Sequence, residues 1–299
     1  MPELPEVETI RRDLEEKIIG HKITAVEIRD RKMTAVASAV ILTPPTRGKD
    51  PLKFDSFLLG CRIVKVERRG KLLAFLLSNK KYLLVHLKMT GQLIYREHDR
   101  VIAGGHKMRA SDLVVPNNFT RVIFSFAGGR QLFFNDMRRF GYVKIVDAEE
   151  KSRIWENDFG IEPLTANFTW ESFKKVFVGR KTITKALLMN QKLIAGIGNI
   201  YADEICFCAR VLPWRRAGAL GESELKKIFT CCTKVLQVAI KNRGTTFNDF
   251  VDSDGKSGGH YDFLNVYERD GEKCHRCKSI IKKARHAGRG THFCEVCQK

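Results

Sequence analysis

The 299-residue sequence lacks any apolar run long enough to cross a bilayer as a helix. Its N-terminus also lacks the apolar core of a secretory signal peptide, because five of the six residues from Arg11 to Glu16 are charged. Both absences argue against a membrane-embedded or secreted protein. We therefore expect a soluble protein of the cytoplasm with no membrane partner. No internal repeat is apparent.

Acidic residues are scarce relative to basic ones. The sequence has 53 Lys and Arg against 34 Asp and Glu, which gives a formal net charge of +19 and an isoelectric point near 9.7. Clustered cations bind nucleic acid because the counterions of the phosphates are released. A solvated basic surface accounts for modest excesses of charge, but an excess this large favours nucleic acid as the partner.

Ligand-like spacing of cysteines is confined to the C-terminus. Two Cys-x-x-Cys pairs, with sixteen residues between them, comprise Cys274, Cys277, Cys294 and Cys297. This spacing is typical of one tetrahedral zinc ion, which is structural because four thiolates leave no position for water. Two redox-active dithiols are the alternative. The remaining cysteines are expected to be buried or idle thiols in a reducing compartment: Cys61, Cys206, Cys208, Cys231 and Cys232.

The first eight residues combine an imino acid with nearby carboxylates. Removal of Met1 would leave Pro2 with a free secondary amine, and α-amino groups titrate at about 7.7 to 8.0, so a useful fraction is unprotonated near neutral pH. Glu3 and Glu6 lie within one helical turn of this amine. The positive end of the following helix and the carboxylates act on its pKa in opposite directions, which leaves the net direction open. Proline and glutamate are also ordinary residues at the start of a helix.

Hydrophobic patterns divide the chain into a β-rich first half and a helical second half. After an N-terminal helix, short apolar runs predict strands at 22–28, 63–66, 72–77, 82–87, 121–126, 131–134 and 142–146. Turn residues predict surface loops at 33–52 and 97–118. Helical spacing predicts helices at 170–177, 185–189, 199–208 and from Leu225 to about Gly244. The expected fold is α+β and multidomain, with a helix and an antiparallel β-sandwich before a helical region.

Six motifs occur in one order along the chain. They are Pro-Glu-Leu-Pro-Glu-Val-Glu at 2–8, Arg-Arg-Gly-Lys at 68–71, His-Leu-Lys-Met-Thr-Gly at 86–91, Arg-Arg-Phe-Gly at 138–141, Gly-Ile-Gly-Asn-Ile-Tyr-Ala-Asp-Glu at 196–204, and the four spaced cysteines. Together they resemble the bacterial formamidopyrimidine-DNA glycosylases, bifunctional glycosylase and lyase enzymes of base excision repair. That family excises 8-oxoguanine and ring-opened purines. The resemblance spans essentially the whole chain.

The resemblance implies roles for four residues of the N-terminal half. Pro2 matches the nucleophile that attacks the sugar C1′, and Glu3 matches the acid that assists sugar opening. Lys71 matches the basic residue that assists elimination, and Glu6 matches a residue of the lesion pocket. A secondary amine that displaces the base gives an iminium ion, and this adduct supports β- and δ-elimination of the strand.

The resemblance also implies residues that bind double-stranded DNA. A base must leave the duplex to reach the amine, and Met89, Arg138 and Phe140 match the residues that fill the void. Their side chains suit insertion, wedging and pairing with the orphaned base. Asn199 and Arg289 match the residues that grip the lesion phosphate over a cleft between domains. Lys185 is expected to line the same cleft.

The implied organisation has three domains. A catalytic β-sandwich domain at 1–147 is followed by a helix-two-turn-helix domain at 148–265 and a zinc ribbon at 266–299. A lesion-capping loop is expected at 252–261. The implied partner is duplex DNA that contains oxidised purines, bound by a monomer in the bacterial cytoplasm and associated with the nucleoid.

The sequence departs from the family pattern at several places, and two alternatives remain. Lys88 stands where glycine is usual, Asn-Asp-Met at 135–137 replaces the usual Asp-Pro, the loop at 34–50 is long, and residues 258–261 differ from the usual lid. The sister glycosylase for oxidised pyrimidines usually begins Pro-Glu-Gly-Pro-Glu, so Leu4 favours the purine enzyme. A non-catalytic protein that binds damaged DNA is the alternative of another class, and the retained catalytic residues argue against it.

Overall fold

The chain folds into two compact units in a computed structural model that describes residues 1–37, 54–98, 100–105, 114–245 and 260–299. We call Met1–Trp155, with the segment that begins at Arg243, the N-terminal unit, and Glu156–Asn242 with His260–Lys299 the C-terminal unit. Within the described ranges, no helix is long and apolar enough to span a membrane. The division into three domains stays a prediction.

Helix α1 (Leu4–Ile18) begins the N-terminal unit. A proline in its first turn fixes a helical φ, and Glu6 accepts a hydrogen bond from the backbone N–H of Glu3, as in a capping box. Val7, Leu14 and Ile18 recur at helical spacing and are fully or almost fully buried. This apolar face packs against strands of both sheets of the unit, and it confirms the helix predicted from the sequence.

Ten strands form two five-stranded sheets in the described part of the N-terminal unit. The strands are β1 (Ile23–Ile28), β2 (Thr34–Val36), β3 (Ile63–Arg69), β4 (Leu72–Leu77), β5 (Tyr82–His86), β6 (Gly91–Glu97), β7 (Arg100–Gly105), β8 (Thr120–Phe126), β9 (Gln131–Asp136) and β10 (Tyr142–Val146). One sheet has the order β1-β8-β9-β6-β7 and the other β2-β10-β5-β4-β3. The α+β fold class is confirmed. Pairing is antiparallel, as predicted for the sandwich, except between β2 and β10, which are parallel.

Strand β7 lies where the sequence predicted a loop. It pairs with β6 in a hairpin, from Gln92 opposite Gly105 to Glu97 opposite Arg100, and His98 at the turn has a φ of +52°. The strand ends in Ala-Gly-Gly, residues that are uncommon in strands, so local preference hid it. Pairing with β6 overrides that preference.

Six helices occur in the described residues. After α1 they are α2 (Ala148–Asn157), α3 (Trp170–Phe177), α4 (Thr184–Leu188), α5 (Asn199–Ala209) and α6 (Glu222–Lys241). The predictions of α3, α4, α5 and α6 are confirmed within a few residues, whereas α2 was not predicted as a separate helix. Helices α3 to α6 enclose an apolar core that includes Phe173, Phe177, Tyr201 and Leu236.

A two-stranded ribbon, β11 (Lys282–His286) and β12 (Arg289–Phe293), completes the C-terminal unit. Phe207 of α5 packs with Val266, Ile281 and the ribbon's Cys274 and Cys294. The ribbon therefore rests on the helical core. The predicted lesion-capping loop at 252–261 lies outside the described residues except for its last two positions, and most of the long loop at 34–50 lies outside them as well.

Candidate active site

The N-terminus places Pro2 directly before the positive end of α1. Pro2 is buried, and Glu3 is 1% exposed. The backbone N–H of Glu3 donates to Glu6 Oε2 at 2.8 Å, which fixes the turn between Pro2 and the helix. The structure thus brings together the predicted nucleophile and both predicted carboxylates. Met1 is 41% exposed.

The predicted pocket residue Glu6 is held by a segment that sequence reasoning did not connect to it. Glu6 is fully buried, and its Oε1 accepts hydrogen bonds from Thr245 N at 2.8 Å and Thr245 Oγ1 at 3.1 Å. Gly244 has a φ of +78°, and a Cβ at this position would lie 2.7 Å from Glu6 Oε1. Only glycine combines this backbone conformation with this close approach. The sequence marked Gly244 only as the end of a helix.

An ion pair ties the turn that carries Lys71 to α1. Arg68 Nε lies 2.9 Å from Glu8 Oε2, with each side chain only 10% exposed, and Arg68 also donates to the carbonyl of Gly70 at 3.0 Å. Burial raises the pKa of Glu8, but hydrogen bonds from Arg11, Arg68 and Arg12 outweigh burial and lower the pKa to about 2. Glu8 is therefore ionised near neutral pH and holds the β3–β4 turn against α1.

Lys71 lies in this turn and is 5% exposed. The adjacent Leu72 pairs with His86 across β4 and β5. Burial, together with the positive charges of Lys88 and Lys71, lowers the pKa of His86 to about 3. His86 is thus neutral near pH 7, and its Nδ1 accepts a hydrogen bond from the backbone N–H of Lys88 at 3.0 Å. In the sequence, this histidine was recognised only as part of the motif at 86–91, with no role of its own.

The three predicted insertion residues meet although they come from two loops. Met89 lies between β5 and β6, whereas Arg138 and Phe140 lie between β9 and β10. The Arg138 guanidinium lies 4.7 Å from the Phe140 ring centroid, and its Nη1 is 3.6 Å from the Met89 sulfur. All three are exposed, and 51% of Phe140 is accessible. A patch of exposed apolar groups beside a cation can enter a base stack and satisfy an orphaned base.

A buried carboxylate, Asp136, shapes the loop that carries two of these residues. Its Oδ2 accepts from the backbone N–H of Gly141 at 2.7 Å, and its Oδ1 accepts from that of Arg138 at 3.2 Å and from the Thr90 hydroxyl. Thr90 follows Met89, so one carboxylate organises both loops. Residues 135–137 were recognised in the sequence as a departure from the family pattern, but these contacts could not be predicted from it.

In the C-terminal unit, Asn199 is the first residue of α5. The preceding Gly198 supplies no capping side chain, so the helix N-terminus can attract an anion. The turn before it is fixed by Gln191, whose side chain accepts from the N–H of Gly196 at 2.9 Å and donates to the carbonyl of Ile197 at 2.7 Å. Gly196 has a φ of +92°, as its place in the turn requires.

Arg289 and Lys185 differ in accessibility. Arg289 begins β12 and is exposed. Lys185 in α4 is 1% exposed, and its Nζ lies 2.7 Å from Asp203 Oδ1. The lysine that the sequence assigned to the DNA cleft is therefore buried in an ion pair.

The four spaced cysteines converge at the base of the ribbon. Their sulfur atoms all lie within 4.8 Å of one another, with 3.9 Å between Cys274 and Cys297 and 3.4 Å between Cys277 and Cys294. A tetrahedron with metal–sulfur distances of about 2.3 Å has edges of about 3.8 Å, so the donor set fits a zinc ion. Such a site is structural because all four positions are filled by thiolate.

The prediction that the other five cysteines are buried or idle thiols is wrong for two of them, because these two are not thiols. Cys208 of α5 and Cys231 of α6 form a disulfide, with 5.9 Å between their Cα atoms. The two residues are 23 apart in sequence and meet only because α5 packs on α6, so their spacing gave no signal. Cys206 and Cys232 are buried thiols, and burial raises the pKa of each, which keeps them unreactive.

Three models of known protein families match most of the chain. Residues 1–143 match the family model described as the formamidopyrimidine-DNA glycosylase N-terminal domain. Residues 159–251 match the formamidopyrimidine-DNA glycosylase H2TH domain, and residues 271–299 match the zinc finger found in FPG and IleRS. Fold and site together define a DNA-repair glycosylase with a zinc finger. The formamidopyrimidine-DNA glycosylase of Pelotomaculum thermopropionicum is 40% identical over 300 residues, covering 100% of this chain and 99% of that protein. The chain belongs to the formamidopyrimidine-DNA glycosylase family.

Solved structures agree with this assignment. A complex between Lactococcus lactis FPG (MutM) and a DNA containing FAPY-dG has a TM-score of 0.81 and 32% identity, covering 99% of this chain and 100% of that one. MutM (FPG) from Thermus thermophilus has a TM-score of 0.78 and 34% identity, covering 99% and 98%.

Proposed function

We propose that this glycosylase excises oxidised purines from duplex DNA and then cleaves the strand as a lyase, with Pro2 as the nucleophile. The observation that carries the proposal is the buried start of α1, where Pro2 precedes Glu3 and Glu6 at the positive end of the helix. The ion pair between Arg68 and Glu8 attaches the Lys71 turn to the same helix.

The chemistry follows from a secondary amine at a sugar carbon. The Pro2 nitrogen bonds to C1′ as the C1′–base bond breaks. The departing base takes the electron pair of that bond and the proton that the amine nitrogen loses. Glu3 gives a proton to the ring oxygen as the sugar opens, which leaves an iminium ion. Loss of a C2′ proton then expels the 3′ phosphate, and a second elimination expels the 5′ phosphate. Lys71 assists these proton transfers.

The patch of Met89, Arg138 and Phe140 supports the step that exposes the base. Chemistry at C1′ requires the nucleotide to leave the stack, at a cost of a few kcal/mol. In the proposal, Met89 and Phe140 fill the void while Arg138 donates hydrogen bonds to the orphaned base. The Lactococcus lactis relative is solved in complex with a FAPY-dG containing DNA, which supports a purine lesion as substrate.

Asn199 and Arg289 hold the phosphate of the flipped nucleotide in this proposal. Asn199 is at the N-terminus of α5, which favours an anion, and Arg289 is exposed at the start of β12. One zinc ion bound by the four cysteines would order the ribbon that carries Arg289. Monomeric state, cytoplasmic location and association with the nucleoid remain predictions.

The test compares borohydride trapping on duplexes that carry 8-oxoguanine opposite cytosine or thymine glycol. Wild type should trap and cleave the 8-oxoguanine duplex faster, whereas Pro2→Gly should lose both reactions. Pro5→Gly is the matched control, because it also disturbs the first turn of α1 but leaves the secondary amine of Pro2 in place, whereas Pro2→Gly leaves only a primary amine. Preference for thymine glycol would indicate the pyrimidine enzyme. Lesion binding without trapping would indicate a non-catalytic binding protein.

A further inference from the structure

The ammonium group of Lys185 is fully engaged inside the C-terminal unit. Its Nζ lies 2.7 Å from Asp203 Oδ1, 2.7 Å from the carbonyl oxygen of Gly290 and 3.0 Å from Thr291 Oγ1. An ammonium group has three N–H bonds, and three acceptors surround this one. A phosphate could reach Lys185 only by displacing one of them.

Asp203 holds the same strand from its other oxygen. It is fully buried, and its Oδ2 accepts from the backbone N–H of His292 at 2.9 Å, with His292 Nδ1 at 3.4 Å. The Lys185–Asp203 pair thus contacts residues 290, 291 and 292 of β12. These are the three residues that directly follow Arg289.

Asp203 also lies on the helix that begins with Asn199. The two residues are four apart in α5 and so lie on the same helical face, about one turn from each other. The ion pair therefore connects the face of α5 that carries Asn199 with the strand that carries Arg289. Both ends of this connection lie in the C-terminal unit.

We propose that Lys185 is a positioning residue that, with Asp203, fixes Arg289 relative to Asn199 so that both reach one phosphate. It acts through Arg289 and does not itself contact DNA. The inference rests on the proposed function of Asn199 and Arg289. It also replaces the expectation from the sequence that Lys185 lines the DNA cleft.

A double-mutant cycle separates positioning from direct contact. Zinc-loaded wild type, Lys185→Met, Arg289→Ala and the double variant are titrated with a duplex that carries a tetrahydrofuran abasic analogue, at several salt concentrations. We expect each single variant to weaken binding about tenfold or more, and Lys185→Met to add less than about twofold in the Arg289→Ala background. The slope of the logarithm of the binding constant against the logarithm of the salt concentration should decrease in magnitude by about 0.9 in Arg289→Ala. It should decrease no further in the double variant.

Multiplicative losses in affinity, with a second drop of about 0.9 in the salt slope, would show direct contact and overturn the inference alone. If Arg289→Ala binds as wild type does, the proposed phosphate role of Arg289 fails and the inference fails with it. Lys227→Met, which removes an exposed lysine from the same unit, is the control for general loss of charge.

A second variant guards against misfolding, because Lys185→Met leaves Asp203 as an unpaired buried charge. Lys185→Met with Asp203→Asn removes both charges. This variant should also bind DNA more weakly than wild type, and it should add less than about twofold in the Arg289→Ala background. Amide exchange should be faster in β12 but not in α6. If this variant retains zinc and wild-type exchange in β12 and binds as tightly as wild type, the pair does not position Arg289.

Discussion

Replacement of Gly244 by alanine should disturb Glu6 more than any general effect of alanine would predict. A Cβ at Gly244 would lie 2.7 Å from Glu6 Oε1, 2.9 Å from its Cγ and 3.1 Å from its Cδ. The carboxylate would have to move and lose its hydrogen bonds from Thr245. Hydrogen bonds to a charged group contribute about 1.5–3 kcal/mol each. We therefore expect the local free energy of opening at α1 to fall by at least about 2 kcal/mol, in addition to the cost of backbone strain.

Gly20 provides the matched control. Its φ of +79° is almost the same as the +78° of Gly244, but a Cβ there would meet nothing within 4 Å. Both alanine variants bear the cost of a left-handed residue, about 1–2 kcal/mol, and only Gly244→Ala adds the clash. Hydrogen exchange of the α1 amides measures the local free energy of opening, and single-turnover excision of 8-oxoguanine measures activity. Equal exchange and equal excision in the two variants would refute the proposed contact with Glu6.

Three further predictions concern acid, reductant and metal. Because the pKa of His86 is about 3 in the folded protein against 6.5 as its ordinary value, the folded state binds fewer protons. The protein should therefore lose stability as pH falls from 6.5 towards 3. At about 1.4 kcal/mol per pH unit, the free energy of unfolding measured with urea should fall by about 3 kcal/mol more in wild type than in His86→Gln between pH 6.5 and pH 4. Reduction of the Cys208–Cys231 disulfide, which links residues 23 apart, should destabilise the C-terminal unit by about 3 kcal/mol, and thermal unfolding of Cys208→Ser with Cys231→Ser should not respond to reductant. Chelation of zinc should weaken DNA binding because the ribbon loses its order, and unchanged affinity in protein shown to be metal-free would contradict this.

Local patterns in the sequence accounted for much of the fold. The apolar run Leu72–Leu77 is strand β4, and the helical spacing of Trp170–Phe177 is helix α3, because each pattern matches the period of its element. The cluster of four cysteines was predicted because the short spacing within each pair brings the sulfur atoms together. The insertion residues were predicted from motifs shared with the family. In the structure, Met89, Arg138 and Phe140 lie in one patch.

Contacts between distant segments could not be read from the sequence. Thr245 binds Glu6 across 239 positions, and Lys185 binds Gly290 across 105. A lysine looks the same in sequence whether it faces solvent or a buried carboxylate, so the burial of Lys185 depends on the packing of α4, α5 and β12. The disulfide likewise depends on the packing of α5 on α6.

The most direct test of the catalytic account is mass spectrometry of the borohydride-trapped complex after proteolysis. We predict that the sugar remnant is attached to a peptide that begins at Pro2, with Met1 absent. A fully active enzyme that keeps Met1, or an adduct on Lys71 in place of Pro2, would contradict the claim that the imino terminus breaks the glycosidic bond.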